Sequence, residues 1–170
     1  MGYYNPILAV GIESFCETAA AAGIDGLIVP DLPPEEAGPL QSAASKCGVS
    51  IVPLIALTST EERIAGACKI AGGFIYCTAV SGVTGVRDSV SDRVETLVAT
   101  ARKHTELPLA VGFGISSPRN VADVARFADG AIVGSALINT LEDGPAQSAP
   151  NRAAAFVREL IGGARLQGMS

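Results

Sequence analysis

Leu107-Pro-Leu-Ala-Val-Gly-Phe-Gly-Ile-Ser-Ser-Pro118 reads as a strand, a glycine turn and a helix start in immediate succession. Its first part, Leu107–Phe113, is an apolar run without polar alternation, the pattern of a strand covered on both faces. Gly112 and Gly114 permit a tight turn. Ser117 then offers an N-cap and Pro118 a first-turn residue whose missing N–H costs nothing there. Val121, Val124 and Ala125 continue at helical spacing.

The same unit recurs along the chain. Apolar runs at Leu27–Asp31, Ile51–Leu57, Phe74–Ala79 and Ala131–Ser135 read as four more strands. Helical stripes separate them: Ile12, Phe15, Cys16 and Ala19 before the first, then Leu40, Ala43, Ala44 and Cys47, then Ile64, Ala67 and Cys68, then Val94, Leu97, Val98 and Ala101. Pro34-Glu35-Glu36 reads as the opening of the second of these helices, and Ser59 with Glu62 as a capping box on the third. Ala153–Ile161 reads as the last helix. One helix between each pair of strands implies parallel strands with right-handed crossovers, so the fold class is α/β.

Composition narrows the function. The 170 residues are 48% hydrophobic and 17% charged, with a net charge of −5, a pI near 4.8 and a mean hydropathy of +0.37. A sizeable core is therefore available, and intrinsic disorder is excluded. No apolar run approaches the ~20 residues of a membrane span. No Lys/Arg cluster marks a nucleic-acid surface. Cys16, Cys47, Cys68 and Cys77 form no C-x-x-C pair, which argues against zinc and for small buried hydrophobes in a reducing compartment. Met1–Pro6 lacks the basic start of a signal peptide, so the expected location is cytoplasmic.

Two architectures accommodate five such units. One is a doubly wound, flavodoxin-like sheet with a ligand at its switch point. The other is a (β/α)8 barrel present as about five of its eight units, an open partial barrel forming one domain over residues 1–170. The chain opens on a polar-aromatic loop and a helix where a complete open sheet would open on a strand, which favours the partial barrel. Such an arc leaves two strand edges unpaired.

Three glycine-rich loops follow the last three strands: Ser81–Gly85, Gly112–Ser117 and Gly134-Ser135-Ala136. Glycine lets backbone N–H groups approach an anion, and a helix N-terminus adds a favourable dipole. A glycine after a parallel strand is also a common tight turn, but three in consecutive units point to a phosphate cradle.

Tyr3–Ile7 (YYNPI), Gly23–Glu36 (GIDGLIVPDLPPEE), Gly73–Tyr76 (GFIY), Ser81–Gly85 (SGVTG), Gly112–Pro118 (GFGISSP) and Asp129–Ile138 (DGAIVGSALI) together resemble the tryptophan synthase alpha chain family, in its order and spacing. That resemblance implies a (β/α)8 barrel, with this chain holding about strands 4–8. It implies retro-aldol cleavage of indole-3-glycerol phosphate to indole and glyceraldehyde 3-phosphate. No cofactor belongs to the alpha chain; pyridoxal phosphate sits in the partner beta chain that receives the indole. By motif, Gly85, Gly112, Phe113, Gly114, Gly134 and Ser135 resemble the phosphate-binding positions. Tyr76 resembles a tyrosine beside the substrate, the other role open to it being strand packing. Thr84 falls in the mobile loop over the site, with Asp25 as its expected partner unless Asp25 is only a turn residue. Asp31 faces the site rim or braces the Pro33-Pro34 turn. Tyr3, Tyr4 and Asn5 resemble the loop that faces the beta chain, or are a frayed terminus.

Departures from the family pattern matter too. The family's catalytic Glu and Asp lie on its second strand and just after its third, upstream of Met1 here, within the ~100 residues that a full barrel would add. Met1-Gly2 resembles an interior Met-Gly of the family, as a truncated frame, a late start codon or a cloned fragment would give. Leu57 stands where relatives usually carry proline. The expectation is a chain inactive alone; the alternatives are a non-catalytic phosphate-binding remnant or another phosphate-binding barrel enzyme. His104, near the end of its helix, is expected to be solvated or to serve the helix end, without a catalytic role.

Overall fold

The computed structural model describes residues 1–79, 87–112 and 114–165, with 87–91 and 163–165 as backbone only. Helices α1 (Tyr4–Val10) and α2 (Ile12–Ala21) precede β1 (Gly26–Leu27), α3 (Gly38–Lys46), β2 (Ser50–Ile51) and β3 (Leu54–Ala56). Then come α4 (Glu61–Ile70), β4 (Ile75–Thr78), α5 (Arg87–Arg102), β5 (Leu109–Gly112), α6 (Pro118–Val124), β6 (Gly130–Ala131), α7 (Ser135–Glu142) and α8 (Ala149–Arg165).

Every strand pairing is parallel, in the order β1-β2 and β3-β4-β5-β6. The expected single strand Ile51–Leu57 is split because Pro53 has no N–H to give a ladder. Its two halves serve different neighbours. Val52 N–H donates to the Leu27 carbonyl on one side, while the Pro53 carbonyl accepts from Tyr76 N–H on the other. Among the described residues β1 and β6 do not pair, so the sheet stays open.

Expected strand ends were too long. Ala131–Ser135 is in fact a two-residue strand followed by a helix that begins at Ser135. Met1–Pro6 is not a loop throughout, since Tyr4 opens α1, and Gly11 at φ 93° separates α1 from α2. Pro34-Glu35-Glu36 forms turns, with Glu36 N–H donating to the Pro33 carbonyl, and α3 starts only at Gly38. The cap of α4 is Thr60, whose hydroxyl accepts from Arg63 N–H; Ser59 instead accepts from Ala56 N–H at 3.0 Å. Ser117 caps α6 as expected, accepting from Asn120 N–H at 3.2 Å.

The core is one-sided. Ile55, Ile75, Cys77, Leu109 and Val111 are buried against Ile64, Ala67 and Cys68 of α4, the α5 stripe and Val124 of α6. The intervening Leu54, Ala56, Tyr76, Thr78 and Ala110 stay half-buried. Sequence runs apolar throughout suggest two sealed faces; among the described residues helices seal only one. A second cluster joins Ile7, Cys16, Leu27, Leu40, Ala44 and Ile51. Burial pushes the Cys77 thiol up to about 12, in keeping with a packing role.

At the opposite end of the sheet from the glycine turns, the Asp129 carboxylate accepts from Leu109 N–H at 2.8 Å and from the Arg102 guanidinium. Arg102 also donates to the Leu107 carbonyl, so one ion pair joins the end of α5 to the starts of β5 and β6. The Leu109 amide, and then Arg102, hold the Asp129 carboxyl below the usual carboxylate range. Its stabilising contribution is therefore complete above the unfolded-state value near 4 and is lost as pH falls through the folded value. With side chains 39% and 46% exposed the pair is solvent-screened, so the effect is on the order of 1 kcal/mol. Urea midpoints measured from neutral pH down to pH ~3 should fall more steeply for the unaltered chain than for Asp129→Asn; equal slopes would contradict this assignment.

Candidate functional site

Parallel strands send all their C-terminal ends to one side, and the candidate residues gather there. Tyr76 and Thr78 lie on the half-buried face of β4, opposite Ala110 and Gly112 of β5. The Tyr76 ring leans across the neighbouring strand. A Cβ at position 112 would lie 2.6 Å from the Tyr76 hydroxyl and 2.7 Å from Cε2, so only glycine lets the ring lie there. Gly112 therefore has a steric reason beyond backbone approach to an anion.

Beyond Gly112 the chain turns through Gly114, whose φ of +68° favours glycine. Asn120, which the sequence reading did not single out, fixes this turn. Its Oδ1 accepts from Ser116 N–H at 3.3 Å and from the Ser117 hydroxyl at 2.9 Å. The turn thus satisfies several of its own polar groups.

The next loop differs. Gly134 is the N-cap of α7 and supplies no side chain to cap it; Leu137 and Ile138 N–H groups turn back on its carbonyl. The first amides of an α-helix, here Ser135 and Ala136, have no intrahelical acceptor. A Cβ at Gly134 would meet nothing within 4 Å, so there is open space at this helix start. Val111 pairs with Ala131, which sets Gly112 beside Ile132, two residues before Gly134. Gly112, Gly114, Gly134 and Ser135 therefore share one end of β5 and β6. Thr84, Gly85 and Phe113 lie outside the described residues.

Other expected residues are placed elsewhere. Asp25 precedes β1, is exposed, and uses its carbonyl to accept from Ser50 N–H. Parallel strands put it at the opposite end of the strands from Thr78, where β4 ends, and its expected partner Thr84 lies outside the described residues. Asp31 neither braces the Pro33-Pro34 turn by a side-chain bond nor stands free. Both its oxygens accept from Tyr4 N–H, at 3.0 and 3.2 Å, capping α1 from another segment. Tyr3 is exposed, Tyr4 half-buried and Asn5 exposed at the start of that helix, where a loop was expected. His104 is not simply solvated: its ring lies 3.3 Å from Glu61 Oε1 and links the turn after α5 to the start of α4. Among the described residues no cluster of three metal-ligating side chains occurs, and no helix is long and apolar enough to cross a membrane.

The family model described as tryptophan synthase alpha chain matches residues 1–164. The chain belongs to the tryptophan synthase alpha chain family. The alpha chain of Chloroflexus aurantiacus is 48% identical over 161 residues, covering 95% of this chain and 60% of that relative. The alpha chain of Roseiflexus castenholzii is 48% identical over 162 residues, covering 95% and 62%. Among solved structures, the alpha chain of Legionella pneumophila matches with a TM-score of 0.87 at 32% identity, over 100% of this chain and 63% of that one. Tryptophan synthase of Mycobacterium tuberculosis matches with a TM-score of 0.84 at 39% identity, over 96% and 60%. This alpha-family chain thus spans about 60% of the length of the curated relatives. Its open array of parallel strands is a partial (β/α)8 barrel.

The contact across β4 and β5 gives a test. In this family member Gly112→Ala should cost about 1–3 kcal/mol by overpacking against Tyr76. The cost should shrink in a Tyr76→Ala background, read as coupling in a double-mutant cycle by urea denaturation. Additive effects would show that the ring does not lie over residue 112.

Proposed function

We propose that this chain holds the phosphate end of indole-3-glycerol phosphate in the family's retro-aldol cleavage, which yields indole and glyceraldehyde 3-phosphate. The observation that carries this reading is the convergence of Gly112, Gly114 and the uncapped start of α7 at one end of β5 and β6. A phosphate dianion suits unsatisfied amide N–H groups at a helix start, where the dipole is also favourable. Ser135 adds a hydroxyl. In the same reading Gly85 and Phe113 complete the cradle, Thr84 belongs to the segment that closes over it, and Tyr76 borders the organic part of the substrate.

Cleavage needs more than anchoring. The electron pair of the broken C–C bond passes to the indole ring carbon, which takes up a proton, while the hydroxyl on the other carbon loses its proton as the aldehyde carbonyl forms; the indole N–H proton must also be managed. Two carboxylates with separated pKa values suit this work. Asp31 is engaged by the Tyr4 amide and Asp25 stands at the far end of β1, so neither is offered for it here. We therefore assign the 170-residue chain the anchoring part of the reaction and negligible turnover alone. This reading needs no cofactor of the chain's own and leaves pyridoxal phosphate with a beta-chain partner that docks near Tyr3, Tyr4 and Asn5. It places the chain in the cytoplasm, where the four free cysteines would stay reduced.

Two measurements on the purified chain test the reading. Calorimetry should detect glyceraldehyde 3-phosphate with a Kd of about millimolar, weakened by Ser135→Asp, which sets a carboxylate against the anion. Incubation with indole-3-glycerol phosphate should release no indole. Absence of heat at saturating millimolar ligand would overturn the cradle, and indole release would overturn the claim of inactivity.

A further inference from the structure

Helix α7 should be poorly anchored. None of its residues is buried, no side chain caps its start, and Ile138 and Leu141 are exposed. Core packing therefore does not key its position. What holds its far end is one side chain of α8. Arg152 Nε donates to the Thr140 carbonyl at 2.9 Å. Nη2 donates to the carbonyls of Leu141 at 2.5 Å and Gly144 at 3.3 Å. Nη1 donates to the Pro145 carbonyl at 3.0 Å and the Ser148 hydroxyl at 2.5 Å.

All five donors of a guanidinium are thus engaged by one short stretch of chain. Thr140 and Leu141 lie in the last turn of α7, where carbonyls lack intrahelical donors. A cation there also complements the negative end of the helix dipole. Gly144, at φ +125°, makes the reversal that brings the chain round the guanidinium. Lysine could not substitute, since an ammonium is a point donor without the planar fork.

We infer that Arg152 is a positioning residue for the phosphate cradle: by clamping the C-terminal end of α7 it sets the direction in which the Ser135 and Ala136 amides point. The inference rests on the phosphate reading of that helix start. An eight-residue helix is only ~12 Å long and moves as a unit, so a tilt released at Leu141 is felt at Ser135. Hydrogen bonds weaken steeply once donor angles fall off line.

The test compares the unaltered chain with Arg152→Ala and Arg152→Lys, using inorganic phosphate and glyceraldehyde 3-phosphate as probes. Amide hydrogen exchange of residues 137–142 is followed alongside affinity. Arg152→Ala should raise the Kd for both probes about tenfold and speed exchange in α7 while β3, β4 and β5 keep their protection. Arg152→Lys should recover little, whereas added methylguanidinium should restore part of the affinity of Arg152→Ala, which a general loss of stability would not allow. Unchanged affinity in Arg152→Ala, or unchanged exchange in α7, overturns the inference while leaving the phosphate reading intact. Failure of the unaltered chain to bind either probe overturns the phosphate reading itself, and with it any role of the clamp in binding.

Discussion

Ile55, Ile75, Cys77, Leu109 and Val111 are each at most 1% exposed, and they all point from the strands to the same side of the sheet, under α4, α5 and α6. Burying a large aliphatic side chain is worth about 1.5–3 kcal/mol, so this single face supplies much of what holds β3 to β6 together. Strand periodicity then forces the alternate residues Tyr76, Thr78, Ala110 and Gly112 onto the other face, where no helix among the described residues covers them. Chemistry on that face is a consequence of packing on its opposite. The parallel direction of every strand adds the second constraint, placing Gly112, Gly114 and Gly134 on one side.

Within that frame the site is built from absences of side chains as much as from their presence. Gly112 makes room for a ring from the adjacent strand, Gly114 takes a left-handed turn, and Gly134 leaves a helix start open. Polar side chains work from behind. Asn120 fixes the turn before α6, Arg152 clamps the end of α7, and Asp129 joins the far ends of β5 and β6. Asp31, at the exit from β1, is drawn into capping α1.

Much of this was legible in the sequence because it rests on local periodicity. The stripes Ile64, Ala67, Cys68 and Val94, Leu97, Val98, Ala101 are buried as read, and Ser117 caps its helix. The errors share a physical cause, which is that backbone partners are not patterned. Pro53 divides a strand because its two halves face different neighbours, which an apolar run cannot reveal. Thr60 and Ser59 both offer hydroxyls, and only the backbone path decides which one caps α4. Helix α7 follows its strand too closely for the apolar run to show where one stops. Asp25 and Asp31 are read from a motif and His104 from its place near a helix end, yet their partners Ser50, Tyr4 and Glu61 come from distant segments. Arg152 bonds mainly to backbone carbonyls, which leaves no trace in residue types, and Asn120 divides its bonds between a backbone amide and the Ser117 hydroxyl.

The family is shown by a match over residues 1–164, while the chain spans about 60% of its curated relatives. Its own geometry therefore has to speak for its own share of the chemistry. The most direct measurement is a nuclear magnetic resonance titration with inorganic phosphate, following the amides of Gly112, Gly114, Gly134 and Ser135 together. One anion-holding surface at the ends of β5 and β6 predicts that all four shift along a common binding curve. Shifts confined to one loop, or fitting separate affinities, would contradict it.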